Sequence, residues 1–158
     1  MYANMTGSTH PLASKEAQII AVPDDERVWV PQAPLVWFRP LLLNTVTGSW
    51  CNLLRVRKSG VLSRHIHPSW VTGYVIKGAW RYLEHDWVAS EGSFVYEPPG
   101  EIHTLVVDEA TGAQEMITFF NISTCMVYLD KDNKQIGLED VADLKKDLEA
   151  GFAAAAAV

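Results

Sequence analysis

From Val28 to Ile122 the sequence is cut into short apolar or alternating runs, each closed by Gly, Pro, Asn or Asp. This punctuation predicts strands near Val28–Val30, Leu35–Leu42, Ser49–Arg57, Gly60–His67, Gly73–Lys77, Ala79–Glu84, Ser93–Glu97, Ile102–Val107 and Gln114–Ile122. Asp130-Lys131-Asp132-Asn133 suits a tight turn between two further short strands. Strands so closely spaced, with turn signals between them, give a sandwich or barrel rather than βαβ units, so the expected class is all-β. The one good helical pattern is C-terminal, where Leu138, Val141, Leu144 and Leu148 recur at spacings of three and four and Gly151 marks an end. The expected division is an N-terminal arm over 1–27, a barrel over 28–136, and a helix with an Ala-rich tail over 137–158.

A length of 158 residues suits one domain, and 48% hydrophobic with 20% charged residues is the composition of a folded chain rather than a disordered one. The net charge is -6 and no Lys/Arg cluster stands out, which argues against nucleic acid as a partner. Apolar runs such as Leu105-Val106-Val107 are too short to cross a bilayer, so no membrane partner is expected. The N-terminus lacks the succession of a secretory signal, and Cys51 and Cys125 stand apart rather than in a CxxC pair. Both features fit a cytoplasmic protein with two thiols buried among apolar side chains.

Chemistry concentrates in two segments. His65-Ile66-His67 lies in a strand pattern, where residues two apart share a face about 7 Å apart along the chain. Two imidazoles on one face can share a metal when a neighbouring strand adds a third ligand, although an HxH pair alone is weak evidence. The second segment runs from Gly92 to His103, and its Pro98-Pro99-Gly100 turn delivers the strand that carries His103.

These residues resemble the cupin superfamily. Its second motif, G-x5-P-x-G-x2-H-x3-N, is matched by Gly92, Pro98, Gly100 and His103, with Val107 at the last position. Its first motif, G-x5-H-x-H-x3,4-E-x6-G, is met by Gly60, His65, His67 and Gly78 with one residue fewer before the first His, while Val71 and Thr72 stand where the glutamate belongs. The resemblance implies a jelly-roll β-barrel with a short C-terminal helix and a metal held by His65, His67 and His103 without a carboxylate ligand. Three neutral imidazoles leave the charge of a divalent ion uncompensated, which favours a bidentate anionic oxygen ligand such as an enolate. Three protein ligands also leave open positions, as catalytic sites do. Imidazole suits iron, zinc, copper and nickel alike.

The longer wording Gly73 to Tyr82, Glu84 to Ala89 and Tyr96 to Leu105 resembles the 2,4'-dihydroxyacetophenone dioxygenase group, allied to the acetylacetone-cleaving dioxygenases. That resemblance implies Fe(II), a ketone substrate with O2, and cleavage of a carbon–carbon bond next to a carbonyl in aromatic degradation. It places Glu97 outside the metal ligands, where it would orient a ligand or accept a substrate proton; a solvated strand-end glutamate is the equal alternative. Trp80, Tyr82 and Glu84 alternate along one strand and would line the pocket if their face points inward. Phe119 is a further lining candidate, although an aromatic inside a barrel is more often core. His85, His10 and Glu101 are read as solvated. The apolar Val36–Leu43 strand, with Trp37 and Phe38, suits either core or contact with a second copy, and a homodimer or homotetramer is expected. Rival readings are a zinc enzyme using Lewis-acid chemistry and a metal- or ligand-sensing cupin resembling the cupin half of zinc-binding anti-sigma factors; residues 1–50 carry only His10 towards the extra ligand set such factors have.

Overall fold

The computed structural model describes Glu26, residues 29–108 and residues 115–156, with side chains described as far as Ala150. Apart from Glu26, the N-terminal arm with His10, and Val28, Gln114 and the end of the Ala-rich tail, lie outside the described residues. Twelve strands are described: β1 (Val30–Ala33), β2 (Val36–Asn44), β3 (Ser49–Val56), β4 (Gly60–Ile66), β5 (Val71–Lys77), β6 (Ala79–Tyr82), β7 (Ala89–Ser90), β8 (Phe94–Glu97), β9 (Ile102–Val107), β10 (Met116–Ile122), β11 (Met126–Leu129) and β12 (Gln135–Glu139). They form two six-stranded sheets of antiparallel neighbours, ordered β1-β2-β3-β10-β5-β8 and β12-β11-β4-β9-β6-β7. One helix follows, α1 (Val141–Ala156).

Alternation explains which side chains face inward. In β10, Met116, Thr118, Phe120 and Ile122 are buried while the residues between them are partly exposed. With Phe38, Trp50, Val71, Val75, Trp80, Tyr82 and Leu105 they make the core between the sheets. Gly78, at φ 74, joins β5 to β6 in a conformation that side-chain-bearing residues rarely adopt. The β11–β12 turn is the one expected from its residues: Asp130 Oδ1 accepts from the backbone amides of Asp132 and Lys134, each at 2.9 Å.

Several boundaries differ from the sequence expectation. Leu138 belongs to β12, and the helix begins three residues later, because Asp140 caps it: Oδ1 accepts from Ala142 N at 2.7 Å and Asp143 N at 3.1 Å. The helix also runs through Gly151 to Ala156. A single helical glycine costs only about 1 kcal/mol relative to alanine, and the alanines after it are the best helix formers. Strand β6 stops at Tyr82, two residues short of Glu84. The cysteines are free, but half-buried; Cys51 Sγ lies 3.5 Å from Asn121 Oδ1.

Candidate metal centre

Strands β4 and β9 pair antiparallel with His65 directly opposite His103. That register brings their Nε2 atoms to 3.1 Å. His67 stands just past the end of β4, on the same face as His65 by strand alternation. Glu97 closes β8, opposite Val71 on β5. The position where the cupin motif places its glutamate is therefore filled from the neighbouring strand. Gly100, at φ 82, turns the chain from Glu97 to His103, and its amide donates to His67 O at 2.9 Å, tying the two segments together.

His65, His67, Glu97 and His103 each offer a ligand atom, and these atoms lie within 4.8 Å of one another. All four residues are at most 4% exposed. Glu97 Oε2 is 3.4 Å from His103 Nε2 and 3.6 Å from His67 Nε2. Glu97, expected outside the metal ligands, lies within their reach: its carboxylate comes to the point on which the three imidazoles converge.

The protonation pattern tests whether a cation fits there. The carbonyl of Cys125 can only accept, so His67 Nδ1, 3.1 Å away, carries the hydrogen and its Nε2 presents a lone pair. Ser63 Oγ lies 3.1 Å from His65 Nδ1 and, as a hydroxyl able to donate or accept, holds the ring in either tautomer. Burial pushes both imidazoles below their ordinary pKa, His65 strongly so, and the neighbouring His103 and His67 add to the effect on His65. Glu97 Oε2 faces these nitrogens without a hydrogen-bond partner among the described residues. The His67 lone pair and the unpaired Glu97 oxygen, with the Nε2 atoms of His65 and His103 beside them, make a buried donor set that suits a divalent cation.

The other carboxylate oxygen is held. Tyr82 Oη donates to Glu97 Oε1 at 2.7 Å, and its ring stacks on His103 with centroids 3.9 Å apart. Burial first, and then the Glu97 charge, push the Tyr82 phenol well above its usual range, so it stays a donor.

The group opens on a cavity of about 760 Å³ between the sheets, lined by His65, His67, Tyr82 and Glu97 together with Trp50, Asn52, Phe120 and other apolar residues. Trp80 and Glu84, expected on the lining beside Tyr82, lie elsewhere. Trp80 is fully buried in the core, with its Nε1 donating to Thr118 Oγ1 at 2.9 Å, and it supports Tyr82 edge-on. Glu84 sits past the strand end, where it accepts from Thr104 N at 2.7 Å and pairs with Arg64 at 2.7 Å. Phe119 is half-buried beside Leu53 and Tyr74, its cross-strand neighbours, while Phe120 one residue on lines the cavity. Phe38 is core, and Trp37 lies under the guanidinium of Arg55 at 4.7 Å. His85 and Glu101 pair with each other at 2.9 Å. Sequence reasoning missed Asn52 and Ser63. Ser63 had a signal, two residues before His65 on the same face; Asn52 had none.

The ChrR cupin-like domain family matches residues 17–125. No curated protein matches the sequence significantly. Among solved structures, an RmlC-like cupin protein from Ralstonia eutropha JMP134 is 33% identical, over 79% of this chain and 82% of that one, at a TM-score of 0.73. An acetylacetone dioxygenase from Acinetobacter johnsonii shares the fold at 16% identity, over 88% and 97% of the two chains, at a TM-score of 0.72. The anti-sigma factor ChrR of Rhodobacter sphaeroides, solved with SigE, is similar at 19% identity over 77% and 74%, at a TM-score of 0.50. With a jelly roll of two antiparallel sheets around a buried His/His/Glu/His group, and a family match across most of its length, the chain belongs to the ChrR cupin-like family of the cupin superfamily.

Proposed function

We propose that this cupin is a non-haem iron dioxygenase that cleaves the carbon–carbon bond next to a carbonyl in an aryl hydroxyketone, with 2,4'-dihydroxyacetophenone as the specific candidate. O2 and that ketone would give an aromatic carboxylic acid and formate, and a β-diketone is the near alternative substrate. The observation that carries the reading is the convergence of His65, His67, His103 and Glu97 at the wall of a roomy, largely apolar cavity. His65, His67 and His103 would hold Fe(II), which supplies a Lewis-acid site for ketone oxygens and one-electron access to dioxygen. Glu97 Oε2 is the free oxygen of the group and would take a proton from the bound hydroxyketone. Tyr82 keeps that oxygen aimed by holding Oε1. Phe120, Trp50 and Leu105 give apolar cavity walls that would receive an aromatic ring.

The test is oxygen uptake by anaerobically iron-loaded protein on a panel of ketones. One O2 consumed per ketone supports the reading; ketone cleavage without oxygen refutes it. The ChrR family match favours a second reading, a metal- or ligand-sensing module. In that case the centre would bind metal yet consume neither ketone nor oxygen. We further propose a cytoplasmic homodimer or homotetramer. Phe94, Tyr96, Tyr74 and Ile76 leave an apolar outer face on the edge strand β8 and its neighbour β5, with Phe94 68% exposed.

A further inference from the structure

Among the described residues, two cavity-lining side chains have a buried polar atom without a hydrogen-bond partner: Glu97 Oε2 and Asn52 Oδ1. The first belongs to the metal centre. The second does not. Asn52 is on β3, in the sheet facing the one that carries His65 and His103. Its side chain points inward with Trp50 and Leu54, and the residue is 7% exposed. A buried amide oxygen left unpaired costs the desolvation of that group, and a same-shaped apolar residue would avoid the cost. Its cross-strand neighbours, Pro40 and Phe120, offer the amide oxygen no side-chain donor.

We infer that Asn52 reads a hydrogen-bond donor on the substrate, from the sheet that faces the one carrying His65 and His103. The inference rests on the ketone reading above and narrows it. A ligand that reaches from the histidines across the cavity to Asn52 needs a hydrogen-bond donor on a mostly apolar body. A ring hydroxyl para to the ketone chain has that chemistry: it donates to Asn52 Oδ1 while the ring lies against Phe120. A short diketone carries no such donor and would leave the amide unpaired.

The test is calorimetric titration of the metal-loaded, full-length protein under nitrogen, where no turnover intervenes. The ligands are 2,4'-dihydroxyacetophenone and 2-hydroxyacetophenone, which differ only in the ring hydroxyl. The expected result is tighter binding of the hydroxylated ketone by about 10- to 100-fold, the worth of one buried hydrogen bond. Asn52→Leu should remove most of that preference by weakening the hydroxylated ketone alone. Equal binding of the two ketones, or an unchanged preference in Asn52→Leu, overturns the assignment while the ketone reading stands. If neither ketone binds, both fall. The comparison on the wild-type protein decides the matter even where the variant does not fold.

Discussion

Replacing Tyr82 by Phe removes one oxygen atom from a fully buried ring and leaves the ring itself in place. Its stack on His103, with centroids 3.9 Å apart and planes 12° apart, needs no hydroxyl, so the histidines should keep their positions and the metal. What is lost is the 2.7 Å hydrogen bond to Glu97 Oε1, in a setting where both residues are at most 2% exposed. Hydrogen bonds to a charged group contribute about 1.5–3 kcal/mol, and the carboxylate oxygen left behind lies at the upper end of that cost. For a domain of this size about 2 kcal/mol lowers Tm by roughly 4–8 °C. Released Glu97 no longer aims Oε2, so turnover should fall by roughly 10- to 100-fold at unchanged metal content, the usual range for a group that orients a catalytic partner. Urea melts, metal analysis and oxygen uptake on the same preparation separate these effects. A variant as stable and as active as the parent would refute the argument that Tyr82 holds Glu97, and loss of metal would show that the hydroxyl supports the histidines instead.

Further outcomes are expected at other positions. His103→Ala should abolish metal retention, measured by elemental analysis after dialysis, because it removes the ligand that pairs across strands with His65. Glu97→Gln should cut turnover more than metal content, since three imidazoles remain; its metal loss would make the carboxylate an obligatory ligand. Burial holds His65 and His67 below their ordinary pKa, so the folded state binds fewer protons than the unfolded chain. Stability of the metal-free protein is thus full above about 6.5, the unfolded value, and should decline as pH falls below it, a trend that denaturant titrations at pH 7 and 5 would check. Gly73→Ala places a Cβ 3.1 Å from the Phe120 ring and should displace that ring into the cavity, raising KM for an aryl ketone more than it lowers kcat. Light scattering should give a dimer or tetramer mass at micromolar concentration; a strict monomer would remove the role proposed for the outer face of β5 and β8.

What was legible in the sequence is what local spacing encodes. His65 and His67 share a face because strands alternate, and Pro98-Pro99-Gly100 sets where His103 arrives, so the histidines could be read before any tertiary contact was known. Glu97 was found as a residue but not as a member of the group, because its reach depends on the pairing of β8 with β5, opposite Val71. Phe119 and Phe120 could not be told apart: β10 is apolar on both faces, and a slip of one residue exchanges cavity for outer surface. Glu84 fell from the lining because Arg64 and the Thr104 amide hold it past the end of β6, contacts made between residues far apart in sequence. Asn52 left no trace, since a lone asparagine in Ser49–Val56 is noticed only when its unpaired oxygen is seen facing a cavity.

The most direct test of the central claim is a turnover of 2,4'-dihydroxyacetophenone under labelled dioxygen by protein loaded in parallel with iron and with zinc. The predicted result is one O2 consumed per ketone by the iron form alone, with one labelled oxygen atom in the aromatic acid and one in formate. Equal turnover by the zinc form, or products carrying no label, would contradict the dioxygenase assignment and transfer the centre formed by His65, His67, Glu97 and His103 to Lewis-acid chemistry.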